Sequence, residues 1–125
     1  MIYSTRLTTS SDQPVYTSTT TGAPVGGLVV GQVNAITTMI ICNTGTPDPI
    51  DETVNSVTIT INLCKAQSPT PVSTTTNRII SNLIVPAGET VFLSEERIVL
   101  DSGDQIRATA SVGNLISITV SALPV

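Results

Sequence analysis

Histidine and tryptophan are both absent from this chain of 125 residues. Histidine is the side chain best suited to general base catalysis near neutral pH, so its absence excludes a Ser-His-Asp triad and a Cys-His pair. Paired carboxylates can hydrolyse glycosides, but sugar sites usually offer aromatic platforms, and only two Tyr and one Phe are present. The sequence therefore predicts a protein that is not an enzyme and has no catalytic residues.

Charged side chains are scarce as well. They make up 11% of the residues, against roughly 25% in an ordinary soluble domain. Only five residues are Lys or Arg, and the net charge is −4, so nucleic acid is not expected as a partner. Because surfaces with few charges repel one another weakly, the composition favours a surface buried in an assembly. The alternative is an ordinary soluble domain with few charges.

Long apolar runs are also missing. Segment 23–33 is interrupted by Gly26, Gly27 and Gly31, so it is too short to cross a bilayer. These glycines match neither a dinucleotide-binding motif nor a phosphate-binding loop. The first residues lead into a polar run without the apolar core of a secretory signal. We expect no membrane partner, no cofactor, and synthesis in a cytoplasm.

Two cysteines, Cys42 and Cys64, are too few for a disulfide framework or a zinc site. They close two predicted strands, 34–42 and 54–64. If these strands form an antiparallel hairpin, the two thiols lie at opposite ends of it, far beyond bridging distance. The interpretation is two free thiols, unless the strands are not partners.

The sequence is rich in hydroxyl and β-branched side chains, with 21 Thr, 13 Ser and 28 Val and Ile together. β-Branched side chains fit a pleated strand better than a helix, and no segment shows a helical period. Segment 57–63 alternates strictly between apolar and polar residues, as a strand with one buried face does. Further predicted strands are 77–85, 90–93, 97–100, 105–112 and a closing strand that ends at Leu123.

Seven or eight short strands at regular spacing predict a single all-β domain, a β-sandwich of jelly-roll or Greek-key type. We assign residues 34–125 to this sandwich. Residues 1–33 are expected to form an extended Thr- and Ser-rich N-terminal arm that ends in a Gly/Pro bend. A pair of frayed edge strands is the alternative for residues 4–21.

Two details of strand pairing are also predicted. Segment 77–85 is more uniformly apolar than the alternating segment 57–63, which indicates a central strand shielded on both sides. The last two strands are expected to form a hairpin with an odd-numbered loop at Gly113-Asn114, which pairs Ala110 with Ile118 and sets apolar against apolar.

Acidic residues cluster at three places, which are Asp48, Asp51 and Glu52 in a Pro-rich loop, Glu95-Glu96 in the interruption between two predicted strands, and Asp101 and Asp104 around a turn. Oxygen clusters suit calcium, but none of these spacings matches a calcium-binding loop. We interpret them as solvated loop and turn carboxylates and assign no metal ligand. In the last turn, Asp101 is expected to cap its own backbone and Gly103 to supply a positive φ.

The order of the strands and turns carries a resemblance. Its segments are Ile41-Cys42-Asn43-Thr44-Gly45, the alternating strand 56–63, the turn segment 84–90, the turn segment 99–106 and the closing strand to Leu123. This pattern resembles small virion structural proteins of tailed phages, notably those of cyanobacterial and other marine phages. The similarity covers about the last 90 residues.

The resemblance implies a β-sandwich subunit without catalytic residues, displayed on the capsid exterior or built into the neck, tail or a fibre. The function expected from it is capsid decoration or cementing of the particle. The alternative is a neck, tail or fibre component, including a module that adheres to the host surface. The expected partners are other virion proteins, such as the major capsid protein, together with further copies of the chain in a homo-oligomer such as a trimer. The expected location is the virion, after synthesis in the host cytoplasm.

Overall fold

The structure, a computed structural model, describes residues 2–18, 33–94 and 97–124. Strands account for most of these residues, as their content of Thr, Val and Ile predicts. The strands are β1 Ile2–Arg6, β2 Gln13–Thr17, β3 Asn34–Asn43, β4 Val57–Cys64, β5 Arg78–Val85, β6 Thr90–Leu93, β7 Ile98–Leu100, β8 Gln105–Ala110 and β9 Ile116–Pro124. A short 3-10 helix, Thr75–Asn77, precedes β5.

The strands form two antiparallel sheets that pack face to face. Sheet A has the order β1-β9-β3-β6, with β6 and β7 paired to successive halves of β3, and sheet B has the order β2-β8-β4-β5. The pairs are nested, since β1 pairs with β9, β2 with β8, β3 with β6 and β7, and β4 with β5. This is one long hairpin rolled into a double-sheet jelly roll. The predicted all-β sandwich is therefore confirmed, in its jelly-roll form.

The inner faces of the two sheets form a core that is almost entirely aliphatic. Their registers set apolar against apolar, as where Ile59 faces Ala110 in sheet B and Ile118 faces Ile41 in sheet A. Burying one such large side chain contributes about 1.5–3 kcal/mol, so the inner faces hold the two sheets together as a rigid slab. The largest fully buried side chains are Leu7, Ile36, Met39, Ile41, Ile59, Ile61, Ile106, Ile116, Ile118, Val57, Val85 and Val120.

Residues 2–18 contribute an edge strand to each sheet, β1 to sheet A and β2 to sheet B. Leu7, Val15 and Tyr16 belong to the core, and the rings of Tyr3 and Tyr16 meet edge to face with their centroids 5.0 Å apart. Residues 2–18 therefore form a pair of edge strands, as the alternative prediction had it, and do not form an arm separate from the sandwich. A few buried side chains anchor these strands, which is too little to give a sustained period in the sequence. The rest of the expected arm and its Gly/Pro bend, residues 19–32, lie outside the described residues.

Segment 77–85 is the edge strand β5 of sheet B, so the prediction of a central strand is wrong. Val85 is buried in the core, whereas Ile79 and Ile84 are exposed. The strand is also irregular, because its register against β4 shifts twice and Asn82 has a positive φ of 55°. Bulges of this kind hinder an edge strand from pairing with another chain. An apolar run indicates a strand but does not place it within a sheet.

The consecutive strands β8 and β9 lie in different sheets, so the predicted hairpin and its pairing of Ala110 with Ile118 are wrong. β8 pairs with β2 and β4, and β9 pairs with β1 and β3. Both strands nevertheless bury the faces that their alternation predicts. Asn114 has the expected left-handed conformation, with φ 68°, and its N–H donates to the Leu7 carbonyl at 2.7 Å. The loop thus carries the chain from one sheet to the other.

The turn in segment 84–90 is present, and the positive φ predicted for Gly103 is confirmed. Gly88 has φ 77° in the turn that Glu89 N–H closes on the Pro86 carbonyl at 3.1 Å. Gly103 has φ 91° in the turn that Asp104 N–H closes on the Asp101 carbonyl at 3.0 Å. A positive φ is what glycine adopts without steric cost, so these two positions set the directions in which β6 and β8 begin.

Candidate interaction surface

The outer face of sheet A is the most distinctive surface of the molecule. It consists of the side chains of β1, β9, β3, β6 and β7 that point away from the core. Paired residues on neighbouring strands project on the same side of a sheet, so the registers arrange these side chains in four rows. The rows are Arg6, Ser117, Cys42 and Thr90; Ser4, Thr119, Ile40 and Phe92; Ile2, Ser121 and Thr38; and Leu123, Ala35 and Val99.

Large apolar side chains on this outer face are open to solvent. The exposed fractions are 74% for Ile2, 63% for Phe92, 58% for Val99 and 53% for Leu123. The one charged residue in the four rows is Arg6, which lies at a corner because it ends an edge strand. The remaining positions carry mainly hydroxyls, and Ser4 and Thr119 are hydrogen-bonded to each other at 3.1 Å. Several large apolar side chains exposed on one face are consistent with a contact site for another protein.

Local sequence explains how the outer face arises. β9 alternates buried aliphatic residues with Ser117, Thr119 and Ser121, which gives a hydroxyl-lined centre. β3 is apolar on both sides, because Ile40 points outward between the buried Met39 and Ile41. β6 and β7 have only four and three residues, and their alternation leaves one large apolar side chain outside in each strand.

A second apolar surface lies between the edge strands β5 of sheet B and β6 and β7 of sheet A, where the two sheets open. This β5–β6 groove has a volume of about 430 Å³. Core residues Ile36 and Met39 form part of its wall, and the partly exposed Ile79 and Phe92 stand at its mouth. Phe92 therefore joins the groove to the outer face of sheet A. The lining residues are Ile36, Met39, Leu63, Ile79, Ile80, Phe92, Leu93, Ser94 and Ile98.

The outer face of sheet B is mainly polar by contrast, although Ile84 of β5 is 64% exposed there. The Thr58 N–H donates to the Ser111 hydroxyl at 2.9 Å, and Arg107 forms an ion pair with Asp12 at 2.7 Å. The loop between β4 and β5 folds over the end of β4. It is held there by the buried Asn62, whose amide donates at 2.7 Å both to the Thr74 carbonyl and to the Asn77 side chain.

The turn at 101–104 differs from its prediction in one respect. Asp104, expected to be a solvated turn carboxylate, is buried, and it rather than Asp101 acts as the cap. Its two carboxylate oxygens accept the backbone N–H groups of Ala66 at 2.8 Å and Asp101 at 3.1 Å. Asp101 is exposed, 3.8 Å from the ammonium group of Lys65. The turn is a structural joint between β7, β8 and the loop after β4.

The acidic loop before β4 carries solvated carboxylates, as predicted. Asp48 accepts the N–H groups of Ile50 at 2.8 Å and Asp51 at 3.0 Å, and these bonds hold the pKa of Asp48 below its usual value. Asp51 accepts the hydroxyl of Thr53 at 2.7 Å and its N–H at 3.0 Å, which lowers the pKa of Asp51 in the same way. Each carboxylate thus stabilises its own turn.

The remaining candidates from the sequence are placed as follows. Cys42 lies on the outer face of sheet A, Cys64 is buried in sheet B, and both are free thiols. The predicted hairpin of β3 and β4, which would hold the two thiols at opposite ends, is wrong because these strands lie in different sheets. Glu95 and Glu96 are outside the described residues. Over 2–18, 33–94 and 97–124, no three His, Cys, Asp or Glu side chains group as they would around a metal ion.

No helix in the described part of the chain is long and apolar enough to cross a membrane. Neither a scan against protein-family models nor a search of the curated proteins finds a match for this chain. The surfaces themselves are therefore the basis for assigning a function. Sequence reasoning predicted an uncharged contact surface but not its place. A signal that could have located it is Ile40, an apolar residue on the outward side of a strand whose inward side is already apolar.

Proposed function

We propose that this protein is a structural subunit of a bacteriophage virion and acts as a capsid decoration or cement protein. One observation carries the proposal. The outer face of sheet A exposes large apolar side chains with one charged residue, Arg6, in its four rows, and it continues through Phe92 into the apolar β5–β6 groove. Surfaces of this kind bind proteins. The resemblance in the order of strands and turns supports the assignment to a tailed phage particle.

A cement protein strengthens a shell by burying surface between itself and its neighbours. Each Å² of apolar surface removed from water contributes about 25 cal/mol, and the gain is repeated at every copy on the particle. The rigid aliphatic core suits this task, because an already ordered sandwich loses little conformational entropy on binding. The proposed partners are the major capsid protein or neck and tail proteins, together with further copies of the chain. Nucleic acid and membrane are not proposed as partners, and the proposed location is the virion after synthesis in the host cytoplasm.

The proposal is tested by adding the purified protein to empty capsids of the phage whose genome encodes it. We expect saturable co-sedimentation with the capsids and a higher temperature of capsid disruption. The variant Ile79→Asp places a charge at the mouth of the β5–β6 groove and is expected to weaken binding. The control Ile50→Asp changes a loop residue that is 94% exposed and should bind as the unmodified protein does.

Absence of binding by the unmodified protein would contradict capsid decoration. Binding to isolated tails or to host cells instead would identify the alternative, a neck, tail or fibre component or an adhesion module. The position of the gene gives independent information, since a neighbouring major capsid gene supports decoration and neighbouring tail genes support the alternative.

A further inference from the structure

We propose that a groove at one end of the sandwich, where β4 begins and β5 ends, binds a basic side chain, arginine or lysine, from a segment of another protein. The inference rests on the proposed function, because the partner it describes is one of the virion proteins named there. It adds a charged contact site to the two apolar surfaces, which are the outer face of sheet A and the β5–β6 groove.

This acidic groove lies between the loop before β4 and the turn that joins β5 to β6. Its volume is about 480 Å³, within the range of roughly 300–1,000 Å³ that is usual for ligand sites. Carboxylate and apolar side chains line it together, so a partner that fills it must offer both a charge and an apolar stem. The lining includes the carboxylates of Asp48, Glu52 and Glu89 and the apolar side chains of Val54, Ile84 and Pro86.

One buried residue, Asn43, holds the two walls of the acidic groove in place. Its side-chain amide donates to the carbonyl of Asn55 in the loop and to that of Val85 at the end of β5, both at 2.8 Å. Its backbone N–H donates to the carbonyl of Glu89 at 2.9 Å. Asn43 is fully buried, so water does not compete for these bonds. The groove is therefore ordered before a partner arrives, which lowers the entropic cost of binding.

The carboxylates of the acidic groove are available to a cation. Those of Glu52 and Glu89 have no hydrogen bond or ion pair with any described residue. Asp48 accepts its two backbone N–H groups through Oδ1 alone, which leaves Oδ2 open and holds the pKa of Asp48 below its usual value. Three like charges in one groove repel one another, so a cation placed among them is attracted by all three.

The chain supplies no cation of its own to this end. All five Lys and Arg residues are among the described residues, and none of them lines the acidic groove. Arg6 shares a row with Thr90, which follows Glu89, but lies three strand spacings or roughly 14 Å away. That separation exceeds the screening length of about 8 Å at physiological salt. The other four cations lie at the middle or the far end of the strands and are Lys65, Arg78, Arg97 and Arg107.

The apolar walls favour a basic side chain over a free metal ion. Arginine and lysine lay their methylene groups along apolar surface while the charged end stays with polar groups. Ile84 is 64% exposed and Val54 is 38% exposed, so both have surface that such a stem can cover. A metal ion would leave that surface in water, and within the described residues no three carboxylates group as metal ligands do. The groove therefore fits a basic segment of a protein.

The experiment is an NMR titration of the isotope-labelled protein with the peptide acetyl-Ala-Arg-Ala-Arg-Ala-amide, without any particle present. We expect saturable shifts confined to residues 47–56 and 84–90, and weaker binding as sodium chloride is raised. The neutral peptide acetyl-Ala-Gln-Ala-Gln-Ala-amide is the control ligand and should cause no such shifts. Shifts of these residues with calcium chloride but not with the arginine peptide would overturn the inference, as would the absence of saturable binding.

Two matched variants separate the groove from the net charge of the molecule. Glu89→Gln and Asp101→Asn each remove one charge from an exposed carboxylate, the first in the acidic groove and the second at the opposite end of the sandwich. Glu89→Gln should raise the dissociation constant of the arginine peptide about two- to fivefold, and Glu52→Gln combined with it should raise the constant further. Asp101→Asn should leave it unchanged. Equal effects of Glu89→Gln and Asp101→Asn would overturn the inference.

The result is separable from that of capsid binding. The peptide titration uses no capsids, so the assignment of a basic ligand to the acidic groove stands even where capsid decoration fails. On capsids, the double variant Glu52→Gln with Glu89→Gln should bind more weakly than Asp101→Asn does. Capsid binding that the double variant leaves intact would overturn the use of this groove on the particle but would leave capsid decoration standing.

Discussion

The outer faces of the two sheets are built on equivalent inner faces but differ in what covers them. On sheet B, the protein covers part of its own outer face: hydrogen bonds from Asn62 hold the loop between β4 and β5 in place, and Arg107 and Asp12 form an ion pair. On sheet A, the described residues place no loop over Ile40, Phe92 or Val99, and the face is apolar and nearly uncharged. The sandwich therefore has one outer face that its own chain partly covers and one that is available for contact with another protein.

This difference shows how a jelly roll separates stability from recognition. The free energy of folding comes mainly from the inner faces, where large aliphatic side chains are fully buried. Outward positions of a strand contribute little to that core, so their residues can be selected for another purpose. On sheet B they hold a loop, and on sheet A they are available for contact. Substitutions at outward positions should therefore have different consequences on the two sheets.

The largest effect is expected at Asn62, whose hydrogen bonds hold the loop between β4 and β5 against sheet B. Asn62→Ala removes two hydrogen bonds of 2.7 Å from a buried side chain and leaves the Thr74 carbonyl without this donor. Losing buried hydrogen bonds in this way costs about 2–3 kcal/mol, which denaturant unfolding would measure. Hydrogen exchange should also increase in residues 72–77. Thr109→Ala, on the same face but away from the loop, is the control and should cost no more than about 0.5 kcal/mol. Equal losses in the two variants would mean that Asn62 does not hold the loop.

A smaller effect is expected from the ion pair on sheet B. Asp12 accepts from Arg107 at 2.7 Å and also from the Ser73 hydroxyl at 2.9 Å, so it links β8 to the covering loop. A double-mutant cycle of Asp12→Ala and Arg107→Ala should give a coupling of about 0.5–1 kcal/mol that decreases in high salt. The pair of Lys65 and Asp101 is the control, because both side chains are exposed and 3.8 Å apart, and its coupling should be close to zero. A coupling energy between Asp12 and Arg107 that does not change with salt would contradict an electrostatic interaction.

How much of this architecture the sequence predicts depends on the range of the interaction. Alternation is local, and it correctly predicts the buried faces of β4, β8 and β9. The pairing of strands, by contrast, depends on residues that are far apart in the sequence. The short loop after β8 indicated a hairpin, but Ala110 faces Ile59 of β4 whereas Ile118 faces Ile41 of β3. The sequence of one strand shows which of its faces is buried, but the sheet that the strand joins depends on all the strands.

The candidate surface was predictable in kind but not in place. Low charge predicted a contact surface somewhere on the molecule. Its position depends on Phe92 and Val99, which lie in strands of four and three residues, and so short an alternation does not fix which side faces inward. The run in β5 was misplaced for a related reason, since Ile79 and Ile84 are apolar but exposed. Exposed apolar residues are indistinguishable from core residues until the fold is known.

Exchanging apolar and hydroxyl side chains between the two outer faces should change surface properties with little effect on stability. Val99→Thr on sheet A and Thr109→Val on sheet B are nearly isosteric changes at outward positions, so each should alter the free energy of unfolding of the monomer by no more than about 0.5 kcal/mol. Retention on a hydrophobic-interaction column should fall for Val99→Thr and rise for Thr109→Val. A loss of more than about 1 kcal/mol in Val99→Thr would show that Val99 is part of the core of the monomer.

The smallest effect is expected from protonating two carboxylates, Asp48 and Asp51, of the loop before β4. The pKa values of Asp48 and Asp51 lie below the ordinary 3.8 because backbone and Thr53 hydrogen bonds favour the ionised carboxylates. The unfolded chain therefore takes up these protons first. The stability that the two carboxylates contribute is present above pH 3.8 and is lost as the pH falls through their lowered pKa values.

Asp48→Asn combined with Asp51→Asn keeps an acceptor oxygen in each turn but removes the titration. The melting temperature of this double variant should therefore fall less than that of the unmodified protein when the pH is lowered past 3.8. The outer face of sheet A provides the internal comparison. It has no carboxylate in its four rows, so self-association of the double variant should match that of the unmodified protein. Self-association that weakens in the double variant would place the contact at the acidic end of the sandwich instead, and the contrast between the two sheets would then lose its functional meaning.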